Sequence, residues 1–222
     1  MTGFDLSRHR AAIFDLDGTL VQSEPAWEEA KRRILHAEGV SVPQATYDAF
    51  VGRGLRGFLT HVFGPDLSDD RRGLLANRIG AQADVLLPQM RQPVPGAARA
   101  LRRLADQGLR LAVCSSSPRR HILAALDQLG VADIVPTLVS GADLPRGKPD
   151  PLPYLETLRL LDLPAPQAFA VEDALPGAQS AHAAGLAVIA IGPQGQTPAL
   201  AALAPWQTAD YPAFTRLVWP AG

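Results

Sequence analysis

The sequence predicts a doubly wound α/β fold, a parallel sheet with helices on both faces, interrupted by a helical insert. Three observations carry that expectation. Short, continuously apolar runs alternate with amphipathic stretches. Between about residues 25 and 90 the alternation breaks, and helical patterns follow one another without a convincing strand. Finally, 47% hydrophobic and 19% charged residues in a chain of 222 can bury a sizeable core, which argues against disorder.

The predicted strands are residues 11–14, 109–114, 134–139, 168–171 and 186–191. Unbroken rather than alternating apolar character suits strands covered on both faces. Helical spacing separates them. Residues 95–107 place Ala97, Leu101 and Leu104 on one face, and residues 118–129 do the same with Ile122, Leu123, Leu126 and Leu129. Residues 151–161 and 176–184 follow suit, and Gly130 and Gly185 stand where helices stop. Strand–helix alternation implies right-handed crossovers and hence the parallel sheet. The insert reads as four helices, 27–38, 44–51, 55–62 and 71–87, with connectors at 21–24 and 89–95. The expected division is a core of residues 1–22 and 92–222 and a helical domain of residues 23–91. Residues 197–222 are expected to supply a closing helix and edge elements.

Composition also excludes. Twenty-one basic against 22 acidic residues give a net charge of −1 with no long run of either sign, unlike proteins that neutralise nucleic-acid phosphates or acidic membranes. One cysteine, Cys114, precludes an intramolecular disulfide and a thiolate zinc cluster. It lies in an apolar run and reads as core. The first residues show no basic segment leading into an apolar stretch. No window approaches the roughly 20 apolar residues that span a bilayer. The expectation is a soluble cytoplasmic protein whose partner is a small molecule, with no membrane or nucleic acid; the oligomeric state is left open.

The strongest chemical signal is Asp15-Leu16-Asp17-Gly18-Thr19-Leu20-Val21, directly after the first strand. Carboxylates at i and i+2 leaving a strand end can face one crevice. Crowded together, they favour a bound cation or a shared proton; the alternative is an ordinary Asp-Gly turn with two solvated acids. The second strand leads into Ser115-Ser116-Ser117-Pro118. Pro118 is expected at the first position of a helix and Ser117 as its cap, giving an anion site of N–H groups and hydroxyls. Next, Gly147-Lys148-Pro149-Asp150-Pro151 holds a lysine in a stiff loop, and Glu172-Asp173 end a later strand. Alone, each has a plainer reading: a solvated loop lysine, or a cap for the helix starting near Leu175.

In this order the four segments resemble the motif set of the haloacid dehalogenase (HAD) superfamily, from about residue 11 to 192, and the insert resembles the cap domain many members carry. The resemblance implies a Rossmann-like core with the motifs at the carboxyl edge of the sheet, and phosphoryl transfer. Asp15 is then the nucleophile that becomes an aspartyl-phosphate, and Asp17 the acid and later base. Ser115, the Ser116 N–H and Lys148 bind the phosphate oxygens. Mg²⁺ is held by Asp15, the Asp17 carbonyl, and Glu172 and Asp173, directly or through water; hard oxygen donors suit it. Gly18 and Thr19 belong to the turn beside the nucleophile.

Within the superfamily, Asp17 favours phosphate chemistry over dehalogenation. The ending Val171-Glu172-Asp173 with Gly177 looks like sugar-phosphate phosphatases and β-phosphoglucomutases, whereas Val51-Gly52-Arg53-Gly54 resembles phosphoglycolate phosphatases. Mutases of that type usually carry a histidine ten residues after the second Asp, and here it is Trp27. The expected function is Mg²⁺-dependent hydrolysis of a small phosphomonoester; the alternatives are a phosphomutase and a non-catalytic module of the same fold. Arg53 and Arg56 are candidate substrate ligands, since guanidinium matches carboxylate or phosphate, or else solvated arginines. Trp27 either lines the pocket or packs the insert. Arg119, Arg120 and His121 are expected on a solvent face, and His9, His36, His61 and His182 as surface or packed side chains.

Overall fold

The computed structural model describes residues 3–51, 53–193 and 197–220. The apolar runs form a six-stranded parallel sheet. Its strands are β1 (Ala11–Phe14), β4 (Arg110–Ser115), β5 (Thr137–Ser140), β6 (Ala168–Glu172), β7 (Ala187–Ile191) and β8 (Trp206–Thr208), in the order β5-β4-β1-β6-β7-β8. From β1 the chain builds outward through β4 to β5, then crosses back to start the other half at β6. That reversal opens a crevice at the carboxyl ends of the central strands.

Both faces of the sheet are buried, as the unbroken apolar runs require. Ala12, Phe14, Val113, Phe169, Val171 and Ile189 pack under α5 (Ala97–Asp106), α6 (Arg119–Leu129) and α10 (Tyr211–Val218). The intervening residues, among them Ile13, Ala112, Cys114, Ala170 and Val188, pack against α7 (Leu152–Leu161), α8 (Leu175–Ala183) and α9 (Pro198–Ala201). Cys114 is fully buried, and burial pushes its thiol up to about 12, so it is core and no nucleophile.

The insert leaves and returns through a two-stranded antiparallel ribbon, β2 (Val21–Gln22) and β3 (Gln92–Pro93), with Val21 opposite Pro93. It contains α1 (Glu24–Ala37), α2 (Gln44–Asp48), α3 (Leu55–Phe63) and α4 (Asp69–Met90). Ala30, Leu35, Phe58, Leu59, Leu75 and Ile79 build its own apolar cluster.

Several expected boundaries move. The insert's first helix begins at Glu24 rather than 27, with Pro25 in its first turn, where a missing N–H costs nothing. Its last begins at Asp69, because Ser68 caps Arg71 N–H and two aspartates suit the positive helix end. That helix also runs two residues into the expected return connector. The second stops at Asp48, short of residue 51. The strand expected at 134–139 starts only at Thr137, after Pro136. In the core, α6 starts at Arg119, with Pro118 extended outside it.

Candidate active site

The crevice is assembled from the ends of three adjacent strands and one loop. Asp15 follows β1, and its N–H donates to the Val171 carbonyl at 3.0 Å, so the ladder fixes its position one residue beyond the strand. The chain then turns sharply: Leu20 and Val21 both donate to the Leu16 carbonyl, and Gly18 N–H to Val21 at 2.7 Å. Gly18 has φ +89°, and a Cβ there would lie 2.0 Å from an Asp173 carboxylate oxygen. Only glycine serves both the turn and that close approach.

Lys148 is the hub. Its ammonium donates to Asp15 Oδ1 at 2.5 Å, Glu172 Oε1 at 2.7 Å and the Cys114 carbonyl at 2.9 Å. An ammonium has three N–H donors, and all three are engaged with protein. Tyr154, from α7, donates its hydroxyl to the same Glu172 oxygen and lies fully buried beneath Lys148. Glu172 has no room to move toward α8, since a Cβ on Gly177 would fall 1.9 Å from its Oε2.

Asp15, Glu172 and Asp173 are all buried, and one oxygen from each lies within 4.8 Å of the others. Three carboxylates against the one ammonium of Lys148 leave two formal negative charges uncompensated. Burial pushes Asp15 and Asp173 well above the usual carboxylate range; for Asp15 the Lys148 charge opposes this and its carboxylate neighbours add to it. Lys148 is raised, because Asp15 and Glu172 outweigh the effect of burial. A divalent cation with a preference for hard oxygen donors fits this set, since it would neutralise the excess.

Asp17 points the other way. Its carboxylate accepts from Ser23, from Ser117 at 2.7 Å and from Ser115 at 3.2 Å, and it lies outside the three-acid cluster. Ser115 also accepts from the Ser117 N–H at 3.0 Å. Ser117 therefore does not cap α6: its hydroxyl is drawn to Asp17, which is why the helix starts late. Ser116 sits partly exposed between them.

The insert closes onto this edge. His121 is buried, not on a solvent face: its ring packs edge-on against Trp27 at 5.1 Å between centroids, and Nε2 lies 2.5 Å from Asp84 of α4. The packing of α4 against the start of α6 turns that face inward. Arg120 joins the same aspartate at 2.8 Å. Arg91 donates across the seam to Gln128 and to the carbonyls of His121 and Ala124. Trp27 thus packs at the seam. Arg53 and Arg56 are exposed; Arg53 stacks over Phe50, and neither pairs with a described acidic side chain. Gly52, in the segment compared with phosphoglycolate phosphatases, lies outside the described residues.

Sequence reasoning missed Ser23, Tyr154 and the role of Ser117. Ser23 carries a signal of its own, a serine before Glu-Pro at a helix start. Tyr154 carries none, being one apolar position on an amphipathic helix.

With the site in view, the relatives are informative. The family model for haloacid dehalogenase-like hydrolases matches residues 9–185. A phosphoglycolate phosphatase of Rhodospirillum rubrum is 35% identical over 81% of this chain and 78% of its own. The validoxylamine A 7′-phosphate phosphatase of Streptomyces hygroscopicus subsp. limoneus is 32% identical over 87% and 90%. A crystal structure of β-phosphoglucomutase from Clostridium difficile superposes with TM-score 0.81 at 18% identity, covering 91% and 92%; it shows the shared fold. The chain belongs to the haloacid dehalogenase-like hydrolase family. It is an enzyme, a phosphatase of that family. Among the described residues no helix is long and apolar enough to cross a membrane.

Proposed function

We propose that the protein hydrolyses a small phosphomonoester of the phosphoglycolate or sugar-phosphate type, with Mg²⁺, through a phosphorylated Asp15. One observation carries this reading: Asp15 sits at a sheet edge within a cluster of three buried carboxylates plus Lys148. Among the described residues nothing donates to Asp15 Oδ2, which leaves that oxygen able to attack phosphorus. Asp17, one turn away and aligned by three hydroxyls, gives a proton to the leaving alkoxide and later takes one from the water that cleaves the acyl phosphate. Lys148 orients Asp15 and Glu172, and the Ser115–Ser117 loop offers hydroxyl and N–H donors to the phosphate oxygens. Mg²⁺, held by Asp15, Glu172 and Asp173 with the Asp17 carbonyl, would supply the positive charge that lets a carboxylate approach an anionic ester.

Residues 23–91 act as the cap that excludes water from the crevice. A mutase reading draws less support, because Trp27 has no group that titrates. Arg53, just before α3, and Arg56, in its first turn, are further substrate ligands in this reading. A cytoplasmic location is part of this reading.

Phosphate release from phosphoglycolate and a panel of sugar phosphates, with Mg²⁺ and with chelator, tests the proposal. Turnover should need the ion, and Asp15→Asn should lose at least about a thousandfold. Turnover retained by that variant would sink it.

A further inference from the structure

One buried lysine in the insert has no protein acceptor among the described residues. Lys31 lies on α1, two turns beyond Ser23 and one beyond Trp27, on the stripe of that helix that meets the core: Ser23 bonds Asp17 and Trp27 meets His121. Helical side chains lean toward the N-terminus, here toward Ser23 and the crevice. Lys31 is only 5% exposed. Its ammonium stands 5.2 Å from the Phe58 ring centroid, and among the described residues it makes no hydrogen bond or ion pair. The other buried bases differ. Lys148 has three acceptors, and Arg91 has three of its own.

The Lys31 ammonium keeps a small contact with solvent, and stripping most of its water without supplying a protein acceptor is still costly. Burial holds Lys31 below the usual lysine range, against the pull of Glu24, Glu28 and Asp17. Lys31 shares its helix stripe with Ser23, which bonds Asp17, and with Trp27, so this side of the insert is the one turned toward the crevice. An aromatic face behind a cation leaves its front free for an anion.

We infer that Lys31 is the recognition group for a carboxylate carried by the substrate, so that the preferred esters are phosphorylated hydroxy acids rather than phosphorylated neutral alcohols. This rests on the phosphatase reading above and narrows it. The phosphoryl group goes to Asp15 and the carboxylate supplies the acceptor Lys31 lacks.

Two esters of equal carbon count separate the possibilities: phosphoglycolate and ethylene glycol monophosphate, which has a hydroxymethyl in place of the carboxylate. In wild type, kcat/KM should favour phosphoglycolate. In Lys31→Met the ratio of the two kcat/KM values should fall about tenfold or more, mainly through KM, and Lys31→Arg should recover part of it. Because Lys31→Met removes an unmatched buried charge, its Tm should hold or rise; a purely structural lysine would lower it. In an Asp15→Asn background, calorimetry should find phosphoglycolate binding weakened by Lys31→Met more than inorganic phosphate binding. An unchanged ratio, or a wild type that prefers the neutral ester, would overturn the assignment. Release from neither ester, nor from any sugar phosphate, would instead overturn the phosphatase reading itself.

Discussion

The crevice and the seam between insert and core are both polar, and they handle charge in opposite ways. In the crevice, three buried carboxylates share one lysine. At the seam, the single carboxylate of Asp84 meets Arg120 and His121, in partial contact with solvent. The first is an unbalanced arrangement that asks for a ligand. The second is balanced in charge without one, although His121 Nδ1 lies buried with no hydrogen-bond partner among the described residues. Functional sites are where a fold tolerates such imbalance, and the seam illustrates what ordinary structural electrostatics looks like beside it.

The contrast breaks most sharply at Lys148. Lys148→Met leaves the buried acids uncompensated and should cost about 3–5 kcal/mol, read from urea unfolding without metal, and Mg²⁺ should restore part of that loss. The control is Arg120→Ala. Arg120 and Asp84 are 56% and 45% exposed, and such pairs contribute under about 1 kcal/mol. Equal losses in the two variants would erase the distinction.

A middle-sized effect is expected at Gly177. Gly177→Ala presses a methyl group against Glu172 and should cost about 1–3 kcal/mol, with weaker Mg²⁺ binding by calorimetry. A silent substitution would mean that Glu172 is free to move and is not a fixed member of the cluster.

The smallest effect lies at the seam and depends on pH. Burial holds His121 below the ordinary value of 6.5, though Asp84 pulls it up. The folded state then binds fewer protons than the unfolded one as pH falls past 6.5, so stability is full above that value and declines below it. Thermal unfolding between pH 8 and 5.5 should fall more steeply in wild type than in His121→Gln. Parallel curves would show that His121 does not change charge cost on folding.

These two regions also differ in how far the sequence reveals them. The crevice is readable because each strand end packs its chemistry into consecutive residues: Asp15 to Thr19, Ser115 to Ser117, Glu172 and Asp173. The parallel sheet was readable for a related reason, since strands buried on both faces leave unbroken apolar runs. The seam is opaque. Asp84 and His121 are single residues on helices, and they meet only after α4 settles against the core. Ser117 shows the limit within the legible part: local pattern offered it as a helix cap, and a carboxylate a hundred positions away claimed it. Tyr154 shows another, because an aromatic on an apolar stripe gives no notice that its hydroxyl ends on Glu172.

The paired strands β2 and β3 join the insert to the core at one place, and that place adjoins the acid. Asp17 bridges to Val21, Ser23 holds the Asp17 carboxylate, and Val94 N–H returns to Leu20 at 2.9 Å. In the proposed mechanism, a swing of the helical lobe about this double stalk would carry Asp17, the proposed proton donor, with it. Access to the pocket and readiness for the leaving group would then be geared together, a single mechanical coordinate in place of two.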